Sequence, residues 1–298
     1  MIDIRYHIAS LIGIFLALAL GILIGNTIVG DNLLVDEQKK MIDRLEDQFY
    51  VLRERETKLV EESQYKDQVI ANYENYSQAL LPPLVNDRLT GYKVAIVVSG
   101  DSDIPSGMLN TLSIASAEVV SKTVVLSNMK FDKQQVCNDL MDYYAIDYNS
   151  SIATLRKYVA ESVGAVITNQ KDPAVVDILQ KNDIIKFSND GSGPVNGVIL
   201  LGGCNNLEGQ FTNSFDEALI KYLVDNDIKV FGVENSQVTY SYMKDYQKTL
   251  VNTIDNIDQS LGQISLVFSM EGESGHYGIK STAQKFMPSL PVNTITGR

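Results

Sequence analysis

The chain opens on an unbroken apolar stretch and changes character abruptly after it. Ile8 to Gly30 spans 23 residues without a charge. As an α-helix rising about 1.5 Å per residue, it reaches about 35 Å, enough for a bilayer core of about 30 Å. The pattern predicts a transmembrane helix over 8–30, preceded by a short N-terminus, 1–7. A cleaved signal peptide is the rival reading, since Ala17-Leu18-Ala19 offers a small-x-small site. The apolar run continues past that site through Leu20, Ile22, Leu23 and Ile24, which favours an uncleaved anchor. Arg5 and His7 precede the span, and Asp31, Asp36 and Glu37 follow it, with Lys39 and Lys40 weakening the asymmetry. The expectation is a single-pass protein of the cell membrane, with a cytoplasmic N-terminus and the bulk of the chain extracytoplasmic.

Within the span, Ala9, Gly13, Ala17, Gly21 and Gly25 recur every four residues. Small side chains at that spacing form one flat helix face that a second backbone can approach closely. Gly and Ala are common in membrane helices for other reasons, but five in strict register favour a dimer face.

Residues 31–81 form the next segment, dense in charge and free of Gly and Pro. Leu45, Leu52, Leu59 and Leu80 share one heptad position, with Lys66 and Tyr73 filling the gaps. Ile42, Phe49 and Ile70 hold the companion position, alternating with Glu56, Ser63 and Ser77. This is a coiled-coil seam, good from Ile42 to Leu59 and frayed beyond. A single amphipathic helix lying on the chain's own domain is the alternative. A seam starting just after a span with a dimer face makes a homodimer the economical reading. Pro82-Pro83 is expected to end the helix, because proline lacks a backbone donor.

From 82 to 298 the pattern alternates. Apolar runs at Tyr92–Ser99, Thr123–Leu126, Ala165–Thr168, Val198–Leu201 and Lys229–Val233 read as strands. Helical patterns fall at 106–118, 132–162, 173–181, with Asp172 as N-cap, and 215–225. Gly262–Met270 reads as a strand or a buried helix. The fold class is α/β: a mostly parallel sheet with helices on both faces, behind a membrane helix and a stalk. This alternation differs from the ten-residue strands of an outer-membrane barrel.

Charge and composition narrow the chemistry. The net charge of −12 argues against a nucleic-acid partner. Two cysteines, Cys137 and Cys204, allow one bridge at most, and both read by default as buried small hydrophobes. The Gly-rich dinucleotide fingerprint and the P-loop are absent. Asp101 and Asp103 follow the first strand, where a hard cation or a helix-capping turn is conceivable. Gly272-Glu273-Ser274-Gly275-His276 falls short of a hydrolase elbow, and Ser-x-x-Lys matches at 63, 127 and 241 carry no assigned role. The expectation is a protein that is not an enzyme, with no evident cofactor. Cys204 and His276 are weak candidates for a metal site completed by a methionine, since copper(I) prefers such ligands.

Three features together resemble the MctB copper-transport outer-membrane protein family. The first is the opening Arg5-x-His7, Ser10-Leu11 and Phe15-Leu16-Ala17-Leu18-Ala19; the second is the charged helix. The third is Thr253-Ile254-Asp255-Asn256-Ile257-Asp258 with Gly262, then Gly275-His276-Tyr277-Gly278. Leu261 departs from the family pattern, which has a small residue there. The resemblance implies copper transport or homeostasis in the cell envelope, with copper as the metal concerned. Relatives that look like envelope scaffolds imply the alternative: a dimeric scaffold or regulator that binds envelope protein partners without moving metal.

Overall fold

The computed structural model describes residues 4–30, 33–169, 174–189, 191, 193–206, 213–249 and 251–289. Asp172 and Pro173 lie outside these residues. The chain divides into two compact units, Met1–Ala71 and Asn72–Arg298.

The first unit holds α1 (Ile4–Gly30) and most of α2 (Leu33–Val85). Ile4–Thr27 within α1 is long and apolar enough to cross a membrane. A Cβ added at Gly13, Gly21 or Gly25 would meet nothing within 4 Å, so that face is open. The helix α2 is supported locally by pairs four residues apart, such as Lys58 Nζ on Glu54 at 2.8 Å. Its seam is uncovered: Ile42, Leu45, Phe49, Leu52 and Leu59 are between 47% and 66% exposed.

The second unit begins within α2, which continues to Val85 rather than stopping at Pro82-Pro83. Leu81 and Val85 are buried in the domain core, and Asn86 N–H donates to the Pro82 carbonyl at 3.0 Å. Burial of the last turn outweighs the donors that the two prolines lack.

The domain is α/β, built on a seven-stranded sheet of order β3-β2-β1-β4-β5-β6-β7. The strands are β1 (Lys93–Val98), β2 (Glu118–Val125), β3 (Ile185–Asn189), β4 (Gly197–Leu201), β5 (Lys229–Val233), β6 (Asn252–Ile254) and β7 (His276–Tyr277). All neighbours are parallel except β3, which runs antiparallel to β2. The period-two alternation of the strands divides the core. Ala95, Val97, Val198 and Leu200 face one layer, containing α4 (Gln134–Tyr144), α5 (Ile152–Ile167), α6 (Ala174–Lys181), α7 (Asn213–Asp225) and α8 (Met243–Lys248). Val94, Ile96, Val98, Ile199 and Leu201 face the other, with the end of α2, α3 (Ser106–Ile114) and α9 (Ser260–Glu271).

Several sequence expectations change. The strand expected at 165–168 is the last turn of α5, whose start is capped by Ser151 Oγ accepting from Thr154 N–H at 3.2 Å. Ala165 and Ile167 are buried there, and a short apolar run does not tell a buried helix from a buried strand. The same ambiguity at 262–270 resolves as helix: α9 is almost wholly buried, its polar Ser260, Gln263, Ser265 and Ser269 included. β2 begins at Glu118, five residues before the expected start. The short elements β3, α8, β6 and β7 have no counterpart in the sequence reading.

Candidate functional site

Parallel α/β sheets bind ligands beyond the carboxyl ends of their strands, where successive crossovers leave on opposite faces. Here that place lies between β1 and β4, since α3 and α7 cover opposite faces. The chain's own backbone fills it. Ser99 and Gly100 N–H both donate to the Leu201 carbonyl, at 2.9 and 3.2 Å. A Cβ at Gly100 would lie 2.1 Å from the Gly203 carbonyl oxygen, so only glycine permits this approach. Asp101, rather than capping α3, accepts from Asn205 N–H at 2.8 Å; the α3 N-cap is Pro105 and makes no side-chain bond.

Acidic residues follow along the same edge, each holding a loop. Glu234, fully buried after β5, accepts from Ser241 Oγ at 2.6 Å, Tyr242 N–H at 3.0 Å and Lys280 Nζ at 2.7 Å. Asp255, buried after β6, accepts from the N–H groups of Ile279 at 2.7 Å and Lys280 at 3.0 Å. Asp258 accepts from Ser236 N–H and Oγ, both at 2.6 Å. Gly278 makes the Asp255 clasp possible: its φ is +140°, and a Cβ there would sit 1.9 Å from Asp255 Oδ1. Gly262 meets the Asn256 carbonyl as closely, with a Cβ only 2.0 Å away. The two motifs, 253–258 and 275–278, thus meet in space. β6 and β7 pair Thr253 with His276 and Ile254 with Tyr277. Thr253 Oγ1 lies 2.9 Å from His276 Nδ1. Burial pushes the His276 imidazole below its ordinary pKa, favouring the neutral ring. The OH of Tyr277 donates to the Ser274 carbonyl at 3.1 Å, and Gly275 N–H donates to Asn252 Oδ1 at 3.0 Å.

A second buried cluster lies beside this edge. Asp216 Oδ2, in the first turn of α7, accepts from Tyr246 Oη at 2.8 Å and Ser99 Oγ at 2.9 Å. Oδ1 of Asp216 is buried without a partner. Desolvation pushes the carboxyl up to about 7, against the pull of those two donors. Gly202 and Gly232 give Tyr246 its space, since a Cβ at either would strike its ring or hydroxyl.

The metal candidates Cys204 and His276 sit at the ends of different strands. In the strand register Leu200 lies beside Gly232, Gly232 beside Thr253, and Thr253 beside His276. At about 4.8 Å per strand, His276 is about 14 Å from Leu200. Cys204 lies four residues beyond Leu200 and bridges to Tyr240, whereas His276 pairs with Thr253 at the β6–β7 edge. Cys137 and Cys204 are both free and buried, and burial raises both thiol pKa values, the reverse of an activated thiolate. No group of three or more His, Cys, Asp and Glu among the described residues is placed to hold a metal ion. A cleft of about 320 Å³ opens at the opposite, amino edge of the sheet, by Lys229, Asn252 and Ser274.

Glu234, Lys280, Asp216 and Tyr246 are absent from the sequence reading. Asp216 carried a readable signal, because it shares the apolar face of α7 with Leu219, Ile220 and Leu223. Glu234 carried a weaker one, as an acid closing an apolar strand.

An apolar N-terminal helix, a long heptad helix and an α/β domain whose two polar motifs clasp its own loops define a class of membrane-associated, domain-bearing proteins. The chain belongs to the family described as "Copper transport outer membrane protein, MctB", whose model matches residues 1–288. It is thus a copper-transport-related envelope protein, associated with a membrane. None of the curated proteins matches it.

Proposed function

We propose that the protein is a single-pass, membrane-anchored homodimer serving copper homeostasis by assembling envelope protein partners. It neither catalyses a reaction nor chelates copper in its α/β domain, and its N-terminus faces the cytoplasm. The observation that carries this reading is the uncovered seam of α2. Ile42, Leu45, Phe49, Leu52 and Leu59 are a coiled-coil stripe that the chain does not cover by itself. The open small-residue face of α1 offers a second contact in the bilayer, through Ala17, Gly21 and Gly25. The carboxylates of the sheet edge are occupied in holding loops, which fits a rigid recognition domain.

The test is complementation of a deletion strain challenged with copper. Wild-type protein should restore growth. A seam variant, Leu45→Asp with Leu52→Asp, should reach the membrane and fail to restore it. Cys204→Ser and His276→Ala should restore growth as wild type does. Loss of copper resistance in the Cys204 or His276 variants, with the seam variant fully active, would replace this reading by direct copper handling.

A further inference from the structure

We infer that two copies pair only along the first part of α2, and that pairing ends between Leu59 and Glu74. There each chain turns one of the two seam positions onto its own α/β domain. This rests on the homodimer proposed above and fixes its extent.

The heptad position of Ile42 and Phe49 continues through Glu56, Ser63, Ile70, Ser77 and Leu84. Ile42, Phe49 and Ile70 are exposed, whereas Ser77 is buried and Leu84, half-buried, packs against the domain core. From Ser77 onward this position is already taken up by the chain's own domain, so a second copy could not pair along it without displacing that packing.

Side chains of this region grip α9 at both ends. Glu74 Oε1 accepts from Ser260 N–H at 3.1 Å and Ser260 Oγ at 2.6 Å, a carboxylate on a helix N-terminus. Arg88, just past α2, donates to both Glu271 oxygens at 3.1 and 2.7 Å and lies 4.6 Å from the Phe268 ring centre. Glu74, Ser77, Leu81, Val85 and Arg88 are therefore committed within the chain, while Tyr73 and Leu80 stay exposed.

The charge pattern gives the same limit independently. Two anchored copies leave the membrane side by side, so their helices pair in parallel. The positions flanking a parallel seam then oppose residues five apart. Met41 meets Glu46 of the second copy, Gln48 meets Arg53, and Arg55 meets Val60, with no like charges opposed. Glu56, the one charge in the core positions from Ile42 to Leu59, faces Glu56 of the second copy, a like pair that Arg55 of each copy flanks and offsets. The next pair sets Glu62 against Asp67, with Ser63 and Lys66 in the core positions. Like charges there oppose further pairing. A seam this short is marginal alone, and the membrane spans supply the high local concentration it needs.

The experiment uses the full chain in membranes, with single cysteines at one heptad position: Leu45→Cys, Leu52→Cys, Leu59→Cys, Tyr73→Cys and Leu80→Cys. The unaltered chain, whose Cys137 and Cys204 are buried, is the background, and maleimide labelling confirms that each new thiol is reachable. On oxidation by tetrathionate the first three should form covalent dimers. Tyr73→Cys and Leu80→Cys should stay at background despite labelling. Dimers at all five positions would overturn the inference and leave the homodimer standing. No dimers at any position, with a monomeric mass in detergent, would remove the homodimer and this inference with it.

Discussion

Along α2 one helical position meets two fates. Ile42 and Phe49 stand exposed, while Ser77 and Leu84 are covered by the chain's own domain. The polar groups show the same contrast. At the sheet edge Glu234, Asp255 and Asp258 are matched by loop donors of the same chain. The apolar seam of residues 42–59 has no such internal match. The domain's carboxylates are matched from within, and the proposed dimer would complete the stalk from outside. Substitutions in the domain should therefore read out as folding stability, and substitutions in the stalk as association.

The largest effect should come from breaking the Asp255 clasp. Gly278→Ala places a Cβ against Asp255 Oδ1 at a φ of +140°. The backbone strain and the displaced buried carboxylate, with its two N–H bonds lost, should cost about 4 kcal/mol. Urea unfolding followed by far-UV circular dichroism measures it. A loss below about 1 kcal/mol would mean that the two motifs do not hold the domain together.

Asp216 sharpens the contrast from within. Its folded pKa, about 7, lies above the ordinary 3.8 because burial disfavours the charge. The unfolded chain then sheds this proton first as pH rises. The contribution is fully present below about pH 4 and is lost as pH climbs through about 7. Asp216→Asn carries no such proton. Relative to the variant, wild-type protein should lose on the order of 4 kcal/mol between pH 4 and 8. Parallel stability–pH curves for the two proteins would show that this carboxyl does not titrate in that window.

Much of this organisation was legible in the sequence, because it rests on periodicity. The uncharged run 8–30, the heptads of 42–59 and the strand at 229–233 are patterns that a helix or a buried strand must show. What escaped is set by tertiary contact. β6 and β7 are three and two residues long, too short for any period, and exist because β5 offers an edge and Asp255 fixes the loop beyond. The proline pair misled because local propensity was weighed without the buried Leu81 and Val85. Of the candidate site, Asp255, Asp258 and the 275–278 motif were visible as a dense polar segment. Glu234 was not, since it lies about 20 residues before Asp255 on another loop, and Lys280, two residues past Gly278, shows its role only through its contact with Glu234.

The smallest effect tests the boundary between the two regions. Glu74 is the first α2 side chain bonded into the domain, through the amino end of α9. Glu74→Ala removes one carboxylate cap and leaves Ser260 N–H to water or to its own hydroxyl. Loss of such a cap costs about 1 kcal/mol. Leu81 and Val85 hold the rest of the last turns in the core, so the domain should stay folded and α9 helical. Amide hydrogen exchange should report the change locally: faster exchange at Ser260, Leu261 and Gly262, with β1 and β4 as protected as before. If exchange instead rose throughout α3, α9 and the central strands, the end of α2 would be part of the domain's folding core, and the division within the helix would lie nearer the membrane.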